Sequence, residues 1–454
     1  MISTATRKTL RPMLRMALPI ALQMLLQTLL NVVDTVMVGQ LGEVEIGAIA
    51  LGNQVYFLVV LFLFGVGSGA AVFASQYWGD RDVAGVRRSL GVSLVFGLAG
   101  SGAFALMVIF APRALLSVFT TDVAVVRAGS GYLRVVGPSY VFTAITISYS
   151  AALRSVGNTR LPMYATAISI GINVVGNYLL IFGALGFPRL GVTGAAVATA
   201  SARLVEMLIV LVVTYRGRGP AAAPWHDLRA WDRAFFGRFT ARAVPVVAND
   251  LFWALGFTMY TVVFGRLGTE YLAAYTISDT IGRLTLVLFI GTAQATQILI
   301  GNDVGAGRLD EAREKSRVLL RTIPVASTFV GLILLLPVAA LVPQLFNISP
   351  TSRALLAQFL RLFALLVVVK VLNVHIITGI LRGGADTRVA LLIDVLPLWV
   401  VGVPLTFLLA FAIGVPPLFT YAAFFCEELL RVAIGIGRVK SGAWIHVLTG
   451  HVAK

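Results

Sequence analysis

From Met13 to Val38 the chain runs through apolar residues with only two ionisable side chains, Arg15 and Asp34. Such blocks, about 20 to 30 residues long and separated by short charged loops, recur along the whole chain, and this is the length a bilayer-spanning helix needs. A β-barrel strand would alternate apolar and polar residues, whereas these blocks are continuously apolar, so the pattern predicts an all-α polytopic membrane protein. Composition agrees: 58% of the 454 residues are hydrophobic and 12% charged, about half the charge of an average soluble domain, and the mean hydropathy is +0.90.

Twelve spans are expected, starting near Met13, Ile46, Ser89, Ala128, Leu161, Val192, Phe239, Tyr271, Val318, Leu356, Ala390 and Pro417. The basic N-terminus is not followed by a small-residue cleavage site, so the first span is expected to be retained. Cys426 is the sole cysteine, which excludes an intrachain disulfide. With the N-terminus in the cytoplasm, 25 of the 36 Lys and Arg residues fall on the cytoplasmic side. Seven fall on the other side, namely Arg113, Arg127, Arg134, Arg189, Arg266, Arg353 and Arg361. The positive-inside rule therefore predicts a multi-pass protein of a plasma (inner) membrane with both termini cytoplasmic. The net charge of +16 reads as topology signals meeting anionic lipid, with no nucleic-acid partner.

The chain repeats itself. Shifted by 226 residues, Ala17 meets Ala243, Pro19 meets Pro245, GQLG at Gly39 meets GRLG at Gly265, Ala48 meets Ala274, Gly65 meets Gly291 and Gly79 meets Gly305. At an offset of 228, LRSVGNTR at Leu153 meets LRGGADTR at Leu381. Six spans precede the duplicate, so the copies share one orientation, as in transporters with two lobes around a central cleft. The expected organisation is an N-lobe over 1–215, a linker over 216–238, a C-lobe over 239–437 and a cytoplasmic tail over 438–454. Within the linker, Trp225, Leu228, Trp231 and Phe235 recur at helical spacing among charges and predict an interfacial helix.

Pro19 ahead of Asp34, MVGQLG after it, LRSVGNTR, NVVGNYLLIFG and GVTGAAVAT together resemble the MATE (multidrug and toxic compound extrusion) family, of DinF or NorM type, over essentially the whole chain. The resemblance implies a V-shaped bundle whose lobes enclose a cleft open alternately to each side. It also implies antiport of organic, often cationic, compounds against H⁺ or Na⁺, with no bound cofactor. A monomer is the expected state.

The polar residues inside the spans are the candidate site. Gln23, Gln27, Asn31 and Asp34 are spaced by four, four and three, and so share one face of the first helix. A carboxylate in the membrane is costly unless compensated, which makes Asp34 a place to hold and release a proton or Na⁺. Pro19 removes a helix hydrogen bond and predicts a hinge. Asn173 and Asn177, four apart in the fifth span, offer amide oxygens, with Thr199 of the sixth span at similar depth. Asp34, Asn173 and Asn177 are thus a candidate Na⁺ site. Some DinF-like members carry Asp at the position resembling Asn177, and the neutral amide here favours a proton at Asp34. In the C-lobe, Asn249 and Asp250 lie one turn before Trp253, with Tyr260 further on, a set suited to coupling or to an organic cation by charge and cation–π contact.

Other charges read as structural. Asp279 and Arg283 have the spacing of a structural ion pair, but Asp279 meets Asn53 in the repeat and so also joins the C-lobe candidates for coupling or substrate. Arg203 with Glu206 and Glu428 with Arg431 read as local pairs. Lys370, His375 and Asp394 are candidates for a relay. Met24, Phe57, Phe257 and Tyr260 have cleft-lining chemistry, although apolar residues at helical spacing are usually packing. No GxxxxGK[ST] loop is present, so ATP hydrolysis is not expected. Only His375 of the four histidines lies in a span, so no His-rich metal or enzyme site is expected. The rival function is a flippase for lipids or lipid-linked precursors, which would call for several cationic residues in the cleft.

Overall fold

The structure, a computed structural model, describes residues 4–449. The last residues of the expected tail, 450–454, and residues 1–3 lie outside the described part. All regular structure among the described residues is helical. The spanning helices are α1 (Thr4–Gly39), α2 (Glu43–Gly79), α3 (Val83–Phe110), α4 (Val123–Val136 and Ser139–Ser155), α5 (Arg160–Phe182), α6 (Val192–Arg216), α7 (Arg233–Leu267), α8 (Thr269–Gly305), α9 (Leu309–Gln344), α10 (Pro350–Leu381), α11 (Thr387–Ile413) and α12 (Pro417–Ser441). Ten of these are unbroken, long and apolar enough to cross a bilayer. The other two have specific departures. The turn at Gly137–Pro138 breaks α4, since proline has no N–H for the ladder. Helix α12 carries Glu427, Glu428 and Arg431 at its centre. Several helices begin before their apolar windows, α7 at Arg233 rather than near Phe239 and α9 at Leu309 rather than near Val318. Their first turns extend into polar sequence.

Two compact units emerge among the described residues, one of residues 22–247 and one of residues 4–21 with 248–449. Helix α1 and its repeat partner α7 therefore each change unit along their length, α1 between Ala21 and Leu22 and α7 between Val247 and Ala248. Both crossings fall just past the repeated prolines, Pro19 and Pro245, which lie inside continuous helices. The repeated glycines now have a physical reason. A Cβ on Gly65 would lie 2.8 Å from Val247 Cα, and one on Gly291 would lie 3.0 Å from Ala21 Cβ. Each glycine lets a neighbouring helix backbone approach closely within its own unit. The last glycines of GQLG and GRLG, Gly42 and Gly268, have φ of 147° and 137° just before α2 and α8, a conformation that side chains resist.

The 22–247 unit packs Val55, Val59, Leu63, Leu133 and Tyr140 at its centre. The other unit has an aromatic core, with Phe264 stacked on Tyr275 at 4.7 Å and Phe359 on Tyr421 at 4.5 Å. The expected interfacial helix is shorter than predicted. Trp225–Arg229 is helical, but Asp232 accepts from the Phe235 N–H at 2.7 Å and starts α7. Phe235 is thereby carried into the membrane-spanning helix, against Phe73 and Tyr77. The linker docks on α3 through Arg87 and Asp227 (2.7 Å) and through the Leu228 carbonyl, which lies over Gly91. After α12 the chain buries Trp444 against Gly384, while Asp386 receives Arg438 at 2.8 Å and His446 at 3.2 Å.

Candidate functional site

In the 22–247 unit, α1, α5 and α6 bring together most of the residues expected from spacing. Asn177 donates from Nδ2 to Asp34 Oδ1 at 2.7 Å and to Asn173 Oδ1 at 3.0 Å. Asn173 in turn donates to Thr199 Oγ1 at 3.2 Å. Both asparagines are 1% exposed. Asn177 Oδ1 is buried with no donor. The cluster therefore offers one carboxylate and several neutral oxygens, the donor set that hard monovalent cations and protons use. Asn31 and Gln27 are exposed and lie apart from this hydrogen-bonded set. Gln23 is buried but bonds one layer away, to Thr166 at 3.0 Å. Of the four-residue polar face read from α1, two members face packed helices.

Arg203 and Glu206 do not form the expected pair. Arg203 donates to Ser139 Oγ at 2.8 Å and lies 3.6 Å over the Tyr56 ring, while Glu206 accepts from Thr166 at 2.6 Å. Sequence reasoning missed Glu206 because its partner is distant in the chain. The signal was a carboxylate in a span, with the polar positions 166, 169, 173 and 177 recurring on α5.

In the other unit Asp250 is held by Arg382 at 2.7 Å. Asn249 donates to Asp394 at 2.5 Å, and Asp394 pairs with Arg431 at 3.0 Å. Arg431 also reaches Glu427 at 3.2 Å and Glu428 at 3.7 Å. The expected Glu428–Arg431 pair is thus part of a network that includes Glu427 and Asp394, and Asn373 donates to Glu428 at 2.5 Å. Such charges are tolerable in an apolar interior because they are paired and hydrogen-bonded. Asp279 and Arg283 form the expected ion pair at 2.7 Å. His375 has both ring nitrogens engaged, with Val371 O and Thr292 Oγ1, each at 2.9 Å.

A small pocket of about 40 Å³ lies in this unit, lined among others by Trp253, Phe257, Asp279, Lys370, Glu427 and Glu428. The Lys370 ammonium sits 4.7 Å from the Phe257 ring centre. Trp253 stacks on Phe257 at 4.3 Å. Tyr260 is fully buried behind these walls, stacked on Phe424 at 3.9 Å, so its ring belongs to the core. Asp250 and Asn249 also lie away from the pocket, in the Arg382–Asp394 network.

A polytopic helical bundle, built twice in parallel with carboxylates and amides inside its spans, is the architecture of a membrane transporter. The MatE family model matches residues 19–179 and again 245–408, once for each copy, and the chain belongs to the MATE family of multidrug efflux transporters. It is 26% identical over 415 residues to the uncharacterised transporter YisQ of Bacillus subtilis (strain 168), covering 91% of this chain and 90% of that one. It is 27% identical over 416 residues to the multidrug resistance protein MdtK of Pectobacterium atrosepticum, covering 88% and 87%. Among solved structures, a MATE in the bent conformation superposes with a TM-score of 0.87 at 19% identity, over 98% of this chain and 99% of that one.

Proposed function

We propose that the protein is a secondary antiporter that exports organic, lipophilic cationic compounds in exchange for H⁺ or Na⁺ by alternating access. The observation that carries this reading is the Asp34 cluster, a membrane carboxylate joined through Asn177 to Asn173 and Thr199, with an acceptor on Asn177 left without a donor. In the orientation favoured by the Lys and Arg distribution, both termini are cytoplasmic and Asp34 lies near the outer end of α1. Outward-facing Asp34 takes up the cation, α1 adjusts near Pro19, and the cation is then released inside. A proton needs only Asp34, whereas Na⁺ would also use the amide oxygens of Asn173 and Asn177. The wall of the small pocket carries Trp253, Glu427 and Glu428, groups that attract an organic cation by charge and by an aromatic face. The names of relatives described as multidrug resistance proteins support the substrate class. A lipid flippase would need several spare cationic groups, and this pocket holds two cations, Arg283, already paired with Asp279, and Lys370, which lies over the Phe257 ring.

The test uses purified protein in liposomes loaded with a fluorescent lipophilic cation, under an imposed pH or Na⁺ gradient. Gradient-driven efflux lost in Asp34→Asn is the expected result, and the gradient that drives it names the ion. Full efflux in Asp34→Asn overturns the N-unit assignment. Loss confined to Asp250→Asn moves coupling to the other unit.

A further inference from the structure

The three helices that hold Asp34 build a second polar layer. Glu206 lies seven residues past Thr199 on α6, about 10 Å along the helix. Thr166 lies eleven residues before Asn177, and Gln23 eleven before Asp34, each about 16 Å. In this layer Gln23 donates to Thr166 and Thr166 donates to Glu206 Oε1, at 3.0 and 2.6 Å. Between the layers on α5 sits Ser169, which donates to the Ala202 carbonyl at 2.9 Å. Thr166, Ser169, Asn173 and Asn177 are all buried and recur at spacings of three, four and four, so one continuous polar seam joins Asp34 to Glu206.

Charge along this seam does not balance. Neither carboxylate is in an ion pair. Arg203 lies between the two layers on α6, one turn past Thr199 and one turn before Glu206. Its contacts are neutral, the ring of Tyr56 at 3.6 Å and the hydroxyl of Ser139 at 2.8 Å. Two carboxylates thus share one guanidinium that touches neither, and the seam is one positive charge short. An uncompensated charge in such surroundings costs several kcal/mol.

We infer that Asp34 and Glu206 are alternative seats for a single monovalent cation, a proton in the simplest case, with Arg203 as the fixed charge that balances whichever seat is empty. This rests on the proposed antiport and adds to it an inner seat at Glu206. Asp34 lies near the end of α1 and Glu206 near the middle of α6, so one cation is taken up at Asp34 and passed inward to Glu206.

Dicyclohexylcarbodiimide reacts with a carboxyl group that carries its proton; peptide mass spectrometry locates the adduct, and the mass of the intact chain counts adducts per molecule. Purified full-length protein is labelled from about pH 5.5 to about pH 8.5, in choline or sodium chloride. Both Asp34 and Glu206 take label in the wild type, with chains labelled at both rarer than the product of the single frequencies. Label on Glu206 falls at least about fivefold in Asp34→Asn, because Arg203 then balances Glu206 alone. Label on Asp34 falls likewise in Glu206→Gln, whereas Arg203→Gln raises both. Suppression of both labels by sodium but not choline also supports the inference, with Na⁺ as the cation. Absence of label on Glu206 throughout the pH range in choline, or unchanged Glu206 labelling in Asp34→Asn, overturns it. The wild-type double-label frequency decides the matter even if a variant fails to fold. Labelling needs neither gradient nor substrate, so it can fail while liposome efflux holds, or hold while efflux fails.

Discussion

The guanidinium of Arg203 lies 3.6 Å over the ring of Tyr56, turned away from Glu206 one turn along the same helix. The ring offers its negative face and Ser139 its hydroxyl, so the cation is held without being neutralised by a single carboxylate. A desolvated cation–π contact is worth about 2 kcal/mol. Tyr56→Leu should therefore lower the stability of the purified protein by about 1–2 kcal/mol more than Tyr56→Phe, which keeps the ring. Thermal unfolding followed by the fraction remaining monodisperse measures the difference.

Asp250 and Arg382 form an ion pair at 2.7 Å, and Arg382 also donates to Asn249 Oδ1 at 3.4 Å. Asp250→Leu or Arg382→Met should each cost about 3–5 kcal/mol, and the double variant should recover much of that. Equal and additive losses in the three variants would show that the two side chains act separately.

Asp279 and Arg283 behave differently, because the arginine side chain is 64% exposed. Pairs of this kind contribute about 0–1 kcal/mol. Asp279→Asn should leave the melting curve almost unchanged, so any loss of efflux in this variant would report on the pocket rather than on folding.

The Gly384–Trp444 contact should be among the least tolerant outside the spans. A Cβ on Gly384 would fall 2.4 Å from the Trp444 ring and from its carbonyl oxygen. Gly384→Ala should release the segment after α12, and Trp444→Ala should cost about 3–5 kcal/mol as a large side chain is lost from a closed site. Limited proteolysis, with cleavage appearing between Gly442 and Thr449, reads both.

Much of this was legible in sequence, and the boundary is physical. Apolar block length and the 226-residue repeat defined the helices, and the spacing of Asn173 and Asn177 placed them on the face that meets Asp34. Spacing within one helix does not say which helix that face will meet. Asn31 and Gln27 share the periodicity of Gln23 and Asp34, yet they are exposed while Gln23 finds Thr166. The same limit hid Arg382 behind Asp250 and Asp394 behind Arg431. Glu206 with Arg203 was misjudged because local spacing permits a pair that more distant partners, Thr166 and Tyr56, outcompete.

The passage of α1 and α7 from one compact unit to the other just past Pro19 and Pro245 bears on how such a chain arose. A cut in the linker would leave neither product with all the residues of either unit. Two unfused copies could have completed these units only by each lending its leading half-helix to the other. On that view the gene fusion recorded an exchange already made between partners, and the linker made permanent an association on which both copies already depended.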